Sequence, residues 1–322
     1  MEGRRIPGTD RPLSVLGISV GPWVLGRAPG DRVRRLQTLI EGALGRGILL
    51  FDLRAGAETP RVEEAVGPIL APHRSEVTLL SELTAPAGSG RSGRSSSDWP
   101  LRAESSRARL GGAPADLLTV TEREATEPET MAEIEELARS GEIGPWGIRR
   151  LEERGDGPIR PGPEPMDSTA CVLDLTYNLI HPDPGRSLID RWHRAGRAIL
   201  VHDVHAAGRL DGGWLGPGRM DPRRPPVPLA DLRREFAPVL ALAGARGAAA
   251  EPLPVAALRF ALAPAGVAAA LVAPATLVDL DAWIAALVPT ADRAPPIPPP
   301  VSTSPTTGRP PMGRPDPDSG RG

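Results

Sequence analysis

The sequence predicts an α/β fold, most economically a (β/α)8 TIM barrel with a disordered Pro-rich C-terminal tail. Short apolar segments of strand character alternate with longer segments of helical period from residue 13 to about 288. With the Leu13 to Leu25 segment counted as one, the count comes to eight strand–helix units, the number that closes a parallel sheet on itself. No Gly-x-Gly-x-x-Gly follows the first strand, which leaves a doubly wound sheet in second place. The expected organisation is a barrel over 1–289 and a tail over 290–322.

Each element has a local reason. Leu13 to Leu25 predicts a short hairpin ahead of the barrel proper. Asp31 is suited to cap a helix in which Val33, Leu36, Ile40 and Leu44 recur at helical spacing, and Gly45 and Gly47 end it. Ile48 to Phe51 is an apolar strand that delivers Asp52 at its C-terminal end. Val62 to Leu70 is a helix, and Val77 to Leu80 a strand ending near Glu82. Residues 84–98 are Gly/Ser/Arg-rich without periodicity and read as a loop. Leu101 to Leu110 is helical, and Asp116 to Val120 is a strand ending at Thr121. Glu129 to Arg139 is a helix closed by Gly141, ahead of a strand over Gly144 to Ile148. After the Pro/Gly-rich stretch 153–168 come strand Cys171 to Leu175, helix Gly185 to Ala195 and strand Ala198 to Val201. A long loop over 208–228 precedes helices Leu229 to Arg246 and Leu253 to Ala263. Val267 to Val272 is the last strand, and Asp279 to Leu287 closes the fold. Beyond 290 the Pro/Ser/Thr/Gly/Arg-rich composition cannot bury enough surface to fold.

Composition narrows the function classes. A chain of 322 residues with 40% hydrophobic content can bury a large core, and with 3% aromatics that core is built from Leu, Val, Ile and Ala. A net charge of −2 argues against a nucleic-acid binder. The single cysteine, Cys171, excludes an internal disulfide framework and reads as a buried strand thiol. The most apolar stretch, 253–278, is broken by Arg259 and prolines, which argues against a membrane span. No apolar run follows Met1 to Arg5, so a cytoplasmic location is expected. All 38 basic residues are arginine, and the chain has one tyrosine, Tyr177.

Six segments in order then resemble the aldo-keto reductases over roughly residues 13–288. Leu16 to Gly21 is similar to that family's opening "LGLGT", Gly47 to Asp52 to "GINFFDTA", and Val62 to Gly67 to "SEELLG". Leu110-Gly111 through Asp116 to Leu118 is similar to "LGTDYIDLL", Ser140 to Ile148 to "GKIRAIGVSN", and Tyr177 to Leu179 to "YNL". The resemblance implies a tetrad of Asp, Tyr, Lys and His at the ends of the second to fourth strands. Asp52 stands at the Asp position, but the others hold Ala57, Glu82 and Thr121. Without the tyrosine no acid protonates the carbonyl oxygen, and without the lysine no cation tunes that acid. Glu82 near Asp52 would instead place two carboxylates together.

The cofactor positions implied by the resemblance also depart from it. The "SN" that holds the nicotinamide amide reads Arg149-Arg150, and the sixth-strand glutamine reads Asp174. The "YSPLAGG" segment reads His202 to Gly208, with Asp203 where a hydroxyl faces pyrophosphate. The clamp on the adenosine phosphate aligns with Ala275, Asp279 and Trp283. An acid beside a phosphate costs affinity and losing an arginine clamp costs more, so no cofactor is expected, with NADPH as the cofactor if the family activity survives.

Three readings follow. The first is a catalytically degenerate barrel that binds an unknown small molecule or protein partner. The second is a non-redox enzyme using Asp52, Glu82 and His202 as acid/base groups, with His205 as a further candidate and an O/N-rich metal site as a variant. The third is an NAD(P)H-dependent oxidoreductase with an atypical site. Arg149 and Arg150 could bind an anion or be an exposed pair, Trp23 and Trp146 could line a pocket or pack, and the proline run 295–300 could dock on a partner or serve as a solubilising tail.

Overall fold

The computed structural model describes residues 4–9, 12–25, 32–83, 98–150, 168–183, 185–206, 208, 210, 237 and 252–287. Asp31, most of the loop over 84–98, the stretch 153–167, helix 229–246 and the tail 290–322 lie outside these residues or almost wholly so.

Eight parallel strands close a barrel. They are β3 (Leu16–Ser19), β4 (Leu50–Asp52), β5 (Thr78–Glu82), β6 (Leu117–Thr121), β7 (Trp146–Arg150), β8 (Val172–Thr176), β9 (Ala198–His202) and β10 (Val267–Val272). Closure comes from β10, which pairs with β9 on one side and β3 on the other. The hairpin expected over Leu13 to Leu25 lies earlier: β1 (Arg4–Arg5) pairs antiparallel with β2 (Pro12–Leu13). Leu16–Ser19 is itself a barrel strand, and Gly21–Leu25 is a helical turn, α1. The reason is burial. Leu16 and Ile18 are fully buried, which a flanking hairpin could not provide, while Ile6 and Leu13 pack against the barrel interior.

The described helices are α2 (Arg32–Leu44), α3 (Thr59–Leu70), α4 (Trp99–Arg109), α5 (Pro128–Ser140), α6 (Gly185–Arg194), α7 (Leu253–Leu262) and α8 (Leu277–Leu287). They bury apolar faces at helical spacing, such as Val62, Val66 and Leu70 on α3 and Leu188, Ile189 and Trp192 on α6. Val33, assigned to the buried stripe of α2, is instead 68% exposed; Leu36, Ile40 and Ala43 carry that face. Gly141 ends α5 at φ 77, the left-handed conformation that glycine adopts without strain.

Two polar anchors explain motifs outside the barrel mouth. Glu63 on α3 is fully buried and accepts from Ser81 Oγ at 2.7 Å, Ser106 Oγ at 2.6 Å and Arg109 Nε at 2.7 Å. It thereby ties α3 to β5 and α4. Asp116 accepts from Leu79 N at 2.8 Å and Arg74 Nη1 at 2.6 Å, fixing the entry of β6 beside β5.

Period-two alternation sends every second strand residue inward. The middle of the interior is apolar, with Leu50, Leu80, Leu117, Val172, Leu200 and Leu271 in one cluster. Two residues further along, the same inward rows present Asp52, Glu82, Thr119, Asp174 and His202. Thus the change from apolar to polar runs along each strand toward its C-terminal end, where this fold keeps its sites.

Gly67 sets the spacing of α3 against α4, because a Cβ there would collide with the Arg109 carbonyl oxygen. Gly67→Ala is expected to cost about 1–3 kcal/mol through overpacking against backbone that cannot move aside. The midpoint of chemical denaturation checks this.

Candidate functional site

The mouth is organised by a residue the sequence did not single out. Arg54 follows β4 by two residues, so it keeps the inward direction of Asp52, and its side chain is fully buried. Its Nε donates to Asp52 Oδ1 at 2.7 Å and its Nη2 to Asp52 Oδ2 at 3.3 Å, a forked pair on one carboxylate. Its Nη1 crosses the barrel to Asp174 Oδ2 at 2.6 Å and to Thr119 Oγ1 at 3.1 Å. Ser19 Oγ donates to Asp52 Oδ2 at 2.9 Å and Arg54 N to Asp52 Oδ1 at 3.1 Å, so both oxygens of Asp52 are engaged. The cation whose absence the missing lysine implied is therefore present, supplied by arginine from another position.

Glu82 and Asp52 are bound by different arginines. Glu82 accepts from Gly56 N at 2.7 Å, Thr59 Oγ1 at 2.9 Å and Arg149 Nη1 at 3.1 Å. Each acid thus has an arginine partner. Arg149 is inward and half-buried, with Nε 3.6 Å from Asp174 Oδ2. Arg150 points the other way, is 7% exposed, and lies 3.4 Å from Glu122. Neither belongs to an exposed pair.

Asp174 is the hub between the two arginines and His202. Burial alone would raise its pKa, but Arg54, then His202 and Arg149, hold it well below the usual carboxylate range. Burial opposes the charge of Arg54 in the same way, and Asp174 and Asp52 outweigh it, so that guanidinium is held charged. His202 places Nδ1 3.0 Å from Asp174 Oδ1 and Nε2 3.0 Å from Thr176 Oγ1. His205 packs in a tilted arrangement against Trp283, with ring centroids 4.5 Å apart, and its Nε2 lies 3.1 Å from the Pro254 carbonyl.

The remaining predicted positions have structural work. Thr121 exchanges hydrogen bonds with Glu124, closing the turn after β6. Asp279 accepts from Thr276 N and Oγ1, both at 2.9 Å, which is a capping arrangement at the start of α8. Ala275 is exposed beside it. Asp203 has φ 54, and its carbonyl accepts from Asn178 Nδ2 at 3.0 Å. Trp23 Nε1 donates to Pro274 O, and the buried Trp146 donates to Thr169 Oγ1. Cys171 is half-buried, and burial pushes its thiol up to about 11. Tyr177 is buried against Phe260, with ring centroids 4.9 Å apart, and burial pushes its hydroxyl up to about 12. Among the described residues no three His, Cys, Asp or Glu side chains are arranged to hold a metal ion, and no helix is long and apolar enough to cross a membrane.

Removing Arg54 leaves Asp52 and Asp174 buried without their shared countercharge. Arg54→Met is expected to cost about 3–5 kcal/mol in denaturant unfolding, and adding Asp174→Asn to recover part of it. The acid limb tests the same network. The folded pKa of Asp174 lies below its unfolded value, so the unfolded chain takes up that proton first as pH falls. Its contribution is complete above the unfolded value of about 3.9 and is lost below it. A pH series of thermal melts should show Asp174→Asn flattening this part of the acid destabilisation.

Neither a protein-family model nor a curated protein matches the chain. Solved structures do. The holo form of an aldo-keto reductase from Bacillus halodurans matches at TM-score 0.70 and 21% identity, covering 90% of this chain and 92% of that one. Its apo form matches at TM-score 0.65 and 20% identity, covering 90% and 91%. A glycerol dehydrogenase from Gluconobacter oxydans matches at TM-score 0.63 and 23% identity, covering 87% and 88%. With the closed barrel, its inward polar rim and these neighbours in hand, the chain has the (β/α)8 barrel fold of the aldo-keto reductases.

Proposed function

We propose that this chain is an aldo-keto-reductase-like barrel, catalytically degenerate for NADPH-dependent carbonyl reduction, that acts by binding a small molecule or a partner protein at its C-terminal mouth. The observation that carries the reading is the pairing of Asp52. Hydride transfer to a carbonyl needs an acid at the oxygen that gains charge. Here Asp52 spends both oxygens on Arg54 and Ser19, and the position five residues on is the exposed Ala57. The only tyrosine is stacked on Phe260 and has no part in the mouth network.

The residues assigned to NADPH by resemblance fit that cofactor poorly. Arg149 is drawn to Glu82 and Asp174 where the family offers a neutral hydroxyl and amide. Asp279 is committed to capping α8, and Ala275 carries no donor. We derive no reductive step through this site. The similarity to an aldo-keto reductase and to a glycerol dehydrogenase is what favours the competing reading, an NAD(P)H-dependent oxidoreductase with an atypical site.

NADPH titration of the purified protein, read by cofactor fluorescence and by thermal shift, separates the two. No shift at millimolar NADPH is the expected outcome. Micromolar binding, or oxidation of NADPH with a carbonyl acceptor, would overturn the proposal.

A further inference from the structure

We infer that Thr176, His202 and Asp174 form a nucleophile–base–carboxylate triad suited to acyl transfer from a small ester. The inference goes beyond the binding role and rests on the reading that the mouth has been released from hydride transfer.

The three residues form one chain of contacts. Thr176 and His202 are directly paired in register across β8 and β9, and both face inward at the strand ends. Asp174 precedes Thr176 by two residues, so it lies on the same inward row one layer deeper. Thr176 Oγ1 to His202 Nε2 is 3.0 Å, and His202 Nδ1 to Asp174 Oδ1 is 3.0 Å. These are the distances a hydroxyl, a base and its orienting acid need.

Chemistry fixes the proton positions. Asp174 is held ionised by its neighbours and can only accept, so His202 Nδ1 must carry the hydrogen. In the neutral imidazole Nε2 is then an acceptor, and the Thr176 hydroxyl donates to it. Because Arg54 takes the other oxygen of Asp174, Oδ1 is kept in place for His202. Exposure follows the order the chemistry requires. Asp174 is fully buried and His202 has 15% of its side chain exposed, while Thr176 is half-buried.

Arg149 borders the same carboxylate, and its buried Nε has no hydrogen-bond partner. In the first step Thr176 Oγ bonds to the ester carbonyl carbon and its proton passes to His202 Nε2. The alcohol leaves with the electrons of the broken carbon–oxygen bond and takes that proton. Water, deprotonated by His202, then attacks the acyl carbon, and the acid leaves as Thr176 regains its hydrogen.

The test uses the full chain with p-nitrophenyl acetate as substrate and a fluorophosphonate as label. The expected results are p-nitrophenol release above the buffer blank and a mass adduct on Thr176. Thr176→Val should remove both, Thr176→Ser should keep both, and His202→Gln should slow release by about a hundredfold, the effect of losing a general base. Thermal melts establish that each variant is folded. Should Thr176→Val fail to fold, the adduct must still be found at this position in the wild type and in Thr176→Ser. Absence of the adduct, or release unchanged in a folded Thr176→Val, overturns the inference. The NADPH titration separates the two proposals: cofactor binding defeats the binding role, while labelling without NADPH still reports on Thr176.

Discussion

The barrel mouth depends on the burial of one guanidinium. Arg54 has no exposed side-chain surface, and a charge in that position is tolerated only where opposite charges and hydrogen bonds replace water. Asp52 and Asp174 provide them from opposite parts of the barrel, with Thr119 as a third acceptor. The same contact keeps Asp174 ionised despite its burial, and through Asp174 it sets the orientation of His202. Arg149 extends the set to Glu82, so the polar rim is an ordered alternation of acids and bases.

This arrangement bears on what Asp52 can do. An aspartate beside a lysine and a tyrosine helps to tune an acid, whereas an aspartate forked onto a buried arginine holds a cation in place. The charged groups of the mouth are paired with one another. Farther round the same rim, Thr176 and His202 meet across β8 and β9.

The fold was largely legible because its signals are local. Apolar strands such as Ile48 to Phe51, helical spacing such as Val62, Val66 and Leu70, and the stop at Gly141 each arise within a few residues. The hairpin was misplaced because Leu16 to Val20 alternates in the same way whether it flanks a barrel or forms one of its strands; only the pairing of Leu16 with Ala270 decides it. Val33 was misassigned because spacing gives the direction of a side chain but not how far the neighbouring element extends to cover it. At the mouth, Asp52, Glu82, Asp174, Arg149 and His202 were named from strand ends and resemblance. Which arginine reaches which acid is not given by sequence spacing.

By itself the sequence determined the alternation that closes the barrel, the inward row on each strand, and the lack of any lysine or mouth tyrosine. These are properties of residue type and period, and no folding is needed to read them. Tertiary structure alone decided that Arg54, 120 positions from Asp174, would bridge it to Asp52, and that Thr176 would meet His202. Such contacts depend on the angular placement of strands around a closed barrel, and strand order in space is not written in any local segment. The physical reason is that burial selects among all available partners at once, and a guanidinium removed from water binds whichever carboxylates the closed barrel brings within reach.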